Sequence, residues 1–174
     1  CLRIIMKLSE YGVFQTPTLT INTFDSRRFY ADPKWRETYQ ELPEAAENNW
    51  MQGSLKLANI DVTENAKKFD AWSLSLVNKM HQEGVKIIAG TDTPIGYLTP
   101  GYSLHKELEL LSEAGLSNMD VLRSATITPA EFFGMENQMG TIEVGKLADL
   151  VILDKNPLIS ISNTQSIHRV IVKG

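Results

Sequence analysis

The run Val85-Lys86-Ile87-Ile88-Ala89-Gly90 constrains this chain more than any other stretch. It is too short for an ordinary helix, and it lies between a helical pattern that stops at Gly84 and a polar turn, Thr91-Asp92-Thr93-Pro94. A short apolar run with such borders suits a strand buried in a parallel sheet. The flanks supply the helices that parallel strands need. Upstream, Phe69, Trp72, Leu76 and Met80 recur at helical spacing. Downstream, Leu104, Leu108 and Leu111 mark a second helix, with Ser103 as its expected N-cap and Gly115 just past its end.

The same alternation extends toward both ends. Leu2, Ile5, Met6 and Leu8 fall mostly on one helical face, and Gly12 stands where a left-handed cap belongs. Val13 to Ile21 is rich in Thr and branched residues and reads as a strand, with Pro17 forcing a bulge, an edge or a strand end. Residues 22–59 are polar, with Trp35, Tyr39 and Trp50 among charges, and read as an insertion holding short helices, of a length that often serves as a lid or binding loop. Ser117 with Asp120 resembles an acidic capping box, and Thr128-Pro129 puts a proline at a first helical position, so two further helices start there. The expected class over residues 1–135 is therefore α/β with a parallel sheet. After Gly134 the helical period is lost. Leu147 to Leu153 and Arg169 to Val172 read as strands, separated by Asn156-Pro157 and a Ser/Asn stretch, which sets off residues 136–174 as a second unit.

Charge and composition remove several function classes. The formal charge is −4 with no basic run, so nucleic acid is not an expected partner. No apolar stretch approaches the roughly 20 residues that span a bilayer, so no membrane is expected either. Cys1 is the single cysteine, so an internal disulfide is ruled out, a cysteine-protease reading fails, and the default location is cytoplasmic. Leu2 to Leu8 enters helical periodicity at once with no signal-peptide layout, and the chain reads as a piece of something longer. Its 174 residues are too few for a complete (β/α)8 barrel, which takes about 250.

Asp92 is the foremost candidate for chemistry, because it follows an apolar strand at the end where parallel α/β folds place their sites. A carboxylate there binds a metal or shuttles a proton; the plainer alternative is a turn cap. His81, His105 and His168 lack the short spacing of a helical metal motif. His81 and His168 are read as ordinary surface histidines. His105 lies on the first turn of the helix after the Asp92 loop, within reach of that strand end, and is a candidate substrate contact, or else an exposed or helix-packed histidine. Thr93, Tyr97 and Tyr102 belong to the intervening loop and are candidate substrate contacts, or else cover the core. Gly140 to Lys146 (GTIEVGK) lacks the spacing and the following Ser or Thr of a phosphate loop.

Four motifs occur in one order: Gly84 to Asp92 (GVKIIAGTD), Ser103 to Leu108 (SLHKEL), Ala125 to Ala130 (ATITPA) and Gly145 to Val151 (GKLADLV). Together they resemble the C-terminal part of the metal-dependent amidohydrolase superfamily, in the style of its imidazolonepropionase-like and Xaa-Pro dipeptidase-like members. The resemblance runs from Leu2 to Gly174 and is weakest over residues 22–59. It implies the last strand-helix units of a (β/α)8 TIM-type barrel, with Val13 to Ile21 as the seventh strand and Val85 to Gly90 as the eighth. Part of a small β-sandwich, from Leu147 to Leu153 and Arg169 to Val172, follows. It also implies that Asp92 is a metal ligand and general base toward the hydrolytic water.

The resemblance further implies a parent enzyme that uses a divalent metal, zinc by family habit, to hydrolyse a C–N bond in a small amide, peptide or cyclic amide. The family's H-x-H pair and its other metal ligands have no counterpart between Leu2 and Gly174. The chain alone is therefore expected to be inactive and to hold no tightly bound metal. Its unpaired strands are expected to drive self-association into a homo-oligomer. The competing reading is a non-catalytic binding or oligomerisation module that keeps the fold.

Overall fold

The computed structural model describes residues 2–174, so the reading of Cys1 lies outside the described residues. The chain is mixed α/β. Helix α1 (Leu2–Glu10) leads into the short strand β1 (Phe14–Gln15). The strand ends two residues before Pro17, where a residue without an N–H would leave the ladder. The expected strand over Val13 to Ile21 is thus cut short, and its second half forms helix α2 (Leu19–Asn22).

Residues 24–58 are helical: α3 (Phe24–Arg27), α4 (Pro33–Glu37) and α5 (Glu44–Ala58), joined by single turns of tighter helix. This segment is pinned to the body. Arg27 Nε bonds Asp70 Oδ2 at 2.6 Å while its Nη2 bonds Glu113 Oε1 at 2.7 Å.

Helix α6 (Glu64–Gln82) is capped by Thr63, whose side chain accepts the Ala66 N–H, and stops at Gly84, whose φ of +79° only a glycine adopts without strain. Its buried face differs from the expected one. Asp70, Ser73, Val77 and Met80 face inward, whereas Phe69 and Trp72 are exposed and stack on each other with centroids 5.5 Å apart. Asp70 occupies an inward position because Arg27 and the Ser26 hydroxyl satisfy its carboxylate.

Strand β2 (Lys86–Ile87) pairs in parallel with β1, Phe14 opposite Lys86 and Gln15 opposite Ile87. Helix α7 (Tyr102–Glu113) follows. Its N-cap is Gly101; Ser103 lies inside the helix and is buried, and Leu104 is exposed, so neither has the role the sequence suggested. Helix α8 (Asn118–Ser124) is capped as expected by Ser117, which accepts the Asp120 N–H. In α9 (Ile127–Phe132) the proline is the third helical residue, two positions later than expected, since the helix already includes Ile127 and Thr128.

Strands β3 (Leu150–Leu153) and β4 (Ile167–Ile171) form an antiparallel pair with an irregularity at Ile152/Leu153. Their apolar side chains Val151, Ile152, Ile167 and Val170 are exposed. The core gathers Leu19, Val77, Met80, Val85, Ile87, Leu98, Leu108, Leu111 and Val121, with Ile161 packed from the turn before β4. No helix among the described residues is long and apolar enough to cross a membrane.

Candidate functional site

The parallel pair brings the ends of β1 and β2 side by side. Ile88 donates its N–H to Gln15 O at 2.8 Å, continuing the ladder past the strands proper. A methyl group at Gly90 would stand 2.5 Å from Thr16 Cγ2, so a side chain here would require the Thr16 side chain to shift. Thr91 is buried, and Asp92, five residues past the end of β2, has its side chain exposed. The Asp92 backbone is left-handed, φ 56°, a conformation that Asp tolerates better than most residues. Among the described residues its carboxylate has neither an ion pair nor a hydrogen bond. It is a free acid group on the loop that follows the carboxyl end of a parallel strand, five residues past Ile87.

The other sequence candidates fall into two places. Thr93 and Tyr97 share the loop with Asp92. The Thr93 hydroxyl donates to the Leu98 carbonyl, and Tyr97 packs among Phe24, Tyr30 and Trp50. Tyr102 and His105 instead line a groove of about 580 Å³ between α7 and residues 27–38, together with Arg27, Trp35 and Lys106. Asp92, Thr93 and Tyr97 are not in its lining. His105 Nδ1 lies 3.0 Å from Thr164 Oγ1, and burial lowers its pKa, which favours the neutral imidazole. His81 faces Asp120 at 3.6 Å and His168 faces Asp154 at 3.0 Å, both at the surface.

One residue near the site had no role assigned from the sequence. Glu107 is fully buried on α7. Its Oε1 accepts the N–H of Leu19 at 2.9 Å and its Oε2 accepts that of Thr20 at 2.7 Å. These are the first N–H groups of α2, which no residue within that helix satisfies. Thr20 in turn directs its hydroxyl to the carbonyl of Thr91 at 3.4 Å, one residue before Asp92. Burial pushes the Glu107 carboxyl up to about 7, against the pull of the two backbone N–H groups. The signal was present: Glu107 stands beside Leu108 and four residues before Leu111, on the stripe that α7 buries.

Among the described residues no group of three or more His, Cys, Asp or Glu is arranged to hold a metal ion. Asp92 offers a single carboxylate, whereas a zinc centre takes three or four protein ligands. The described residues do not by themselves fit a metal.

Residues 73–174, which include Asp92, Glu107 and everything after them, match the model described as Amidohydrolase family. The chain belongs to the amidohydrolase family. Among its relatives, the imidazolonepropionase of Symbiobacterium thermophilum is 38% identical over 76 residues, 43% of this chain and 18% of that protein. The 5-methylthioadenosine/S-adenosylhomocysteine deaminase of Caldanaerobacter subterraneus is 26% identical over 161 residues, 87% of this chain and 32% of its own length. Among solved structures, a Xaa-Pro dipeptidase crystallised with methionine in its active site superposes with a TM-score of 0.66 at 25% identity, over 99% of this chain and 36% of that one. This amidohydrolase chain thus spans well under two thirds of the proteins it matches.

Proposed function

We propose that this chain is the C-terminal share of a metal-dependent amidohydrolase that hydrolyses a C–N bond in a small amide, peptide or cyclic amide. In this reading β1 and β2 are the last two strands of a (β/α)8 barrel, residues 1–135 are barrel, and β3 and β4 are part of a small sandwich formed by residues 136–174. Asp92 is the catalytic carboxylate. The observation that carries the proposal is its position: an exposed acid, without an ion pair or hydrogen bond among the described residues, on the loop that follows the carboxyl end of parallel strand β2, within the segment that matches the family.

A carboxylate so placed accepts a proton from the attacking water at one oxygen and delivers it to the departing nitrogen, so the amine leaves neutral. A divalent metal, held in the whole protein by ligands outside this chain and joined by Asp92, would supply Lewis acidity. Tyr102 and His105, on the groove beside α7, are kept as candidate substrate contacts, as is Thr93 beside Asp92.

Asp92→Asn in the full-length protein tests the reading on N-acyl amino acids, dipeptides and cyclic amides. Turnover is expected to fall by about 10²–10⁴-fold, while the melting temperature stays within a few degrees, as for an exposed side chain. Near-normal turnover in the variant would remove Asp92 from the mechanism.

A further inference from the structure

The Asp92 loop is strained and must be held from outside itself. Asp92 and Tyr97 are both left-handed, with φ 56° and 60°, at a cost of about 1 kcal/mol each for a residue with a side chain. Such conformations persist only where neighbours over-determine them. Within the loop, Ile95 donates its N–H to Asp92 O at 3.2 Å and Leu98 donates to Ile95 O at 3.2 Å. The Thr93 hydroxyl closes the ring on the Leu98 carbonyl. Asp92 is therefore tied to Leu98 through a compact turn, and whatever fixes that turn fixes Asp92.

The fixing contacts come from the helical segment 24–58. Trp35 Nε1 donates to Tyr97 O at 3.0 Å, and the hydroxyls of Thr38 and Thr99 meet at 2.7 Å. The Tyr97 ring lies 5.8 Å from Trp50 and 5.9 Å from Tyr30, edge-on to both. Its hydroxyl end rests against the bare Cα of Gly53 in α5. A Cβ at Gly53 would overlap that hydroxyl and stand 2.9 Å from Tyr97 Cζ.

We propose that the segment 24–58 is the fixed seat of the Asp92 loop, and that Tyr97, lodged against Gly53, is the positioning residue that sets where Asp92 stands. The proposal rests on the reading of Asp92 as the catalytic carboxylate. It gives the segment a supporting function in place of the lid or binding loop that its length suggested.

Gly53 makes the proposal testable, because two effects oppose each other there. Gly→Ala within a helix favours that helix by about 1 kcal/mol, yet here it displaces the seated ring. In the full-length Gly53→Ala variant, amide exchange at Ile95 and Leu98 is expected to quicken about tenfold or more, while the α5 amides exchange no faster. On a dipeptide substrate kcat is expected to fall about tenfold with KM within about twofold. Adding Tyr97→Phe to Gly53→Ala, which removes the overlapping hydroxyl, is expected to restore most of both. Trp35→Phe, which deletes the donor to Tyr97 O and trims a ring that packs on Phe29, disturbs the seat without touching α5 and should quicken the same two amides. Unchanged exchange at Ile95 and Leu98 in either variant overturns the seat. So does an effect confined to KM, which would assign Tyr97 to substrate contact. A wild-type protein that hydrolyses no amide overturns the reading of Asp92, while the exchange data still decide the seat.

Discussion

Glu107 accepts the backbone N–H of Thr20 at 2.7 Å across 87 positions of sequence, and with Leu19 it caps a helix that has no cap of its own. This buried carboxylate joins α7 to α2, the helix that follows β1, and Thr20 passes the connection on to Thr91.

Burial of the Glu107 carboxyl makes stability pH-dependent, its two backbone N–H bonds opposing the effect only in part. The folded-state pKa is raised from 4.5 to about 7, so the folded chain binds the proton more tightly than the unfolded chain. The resulting stabilisation is fully present below about pH 4.5 and is lost as pH rises through about 7, in total roughly 3 kcal/mol. Denaturant midpoints measured between pH 5 and 8 should fall with pH in the wild type and fall less in Glu107→Gln. Parallel slopes in the two proteins would refute the assignment.

Removing Arg27 should cost more than neutralising Asp70. Arg27→Ala leaves the Asp70 carboxylate, 9% exposed, without its cation, and is expected to lose about 2–3 kcal/mol. Asp70→Asn leaves Arg27 its bonds to Glu113 and should lose about 1 kcal/mol. Urea denaturation of both variants checks the order, and the reverse order would contradict it.

Metal binding by the 174-residue chain alone is expected to be weak, because the described residues hold no cluster of His, Cys, Asp or Glu around the Asp92 carboxylate. After dialysis against a mild chelator, elemental analysis should find far less than one zinc, manganese or iron per chain. About one tightly held ion, lost on Asp92→Ala, would show that a complete site assembles locally or between copies.

The same isolated chain is expected to self-associate. Val151, Val170, Phe132, Phe133 and Val144 are exposed apolar side chains, and β1 and β2 have each other as their only strand neighbours among the described residues. Light scattering should report species larger than a monomer. A monodisperse monomer with one cooperative melting transition would contradict this.

By itself the sequence determined the features that depend on neighbouring residues. Ser117 caps α8 because its hydroxyl reaches an N–H three residues on, Gly84 stops α6 because its backbone turns left-handed, and Pro17 ends β1 because it has no N–H to offer. The apolar run at Val85 and the exposed acid after it were legible for the same reason, and the four ordered motifs pointed to the family. Tertiary structure decided what depends on distant partners. Leu19 to Asn22, branched and strand-like in sequence, is a helix because Glu107 satisfies its first N–H groups from α7. Asp70 is buried in place of Phe69 and Trp72 because Arg27 arrives 43 positions earlier to pair with it. Segment 24–58 is a fixed support because Tyr97, Trp35 and Gly53 meet only after folding. Hydrogen bonds and ion pairs between residues far apart in the chain outweigh weak local propensity, and no local pattern encodes them.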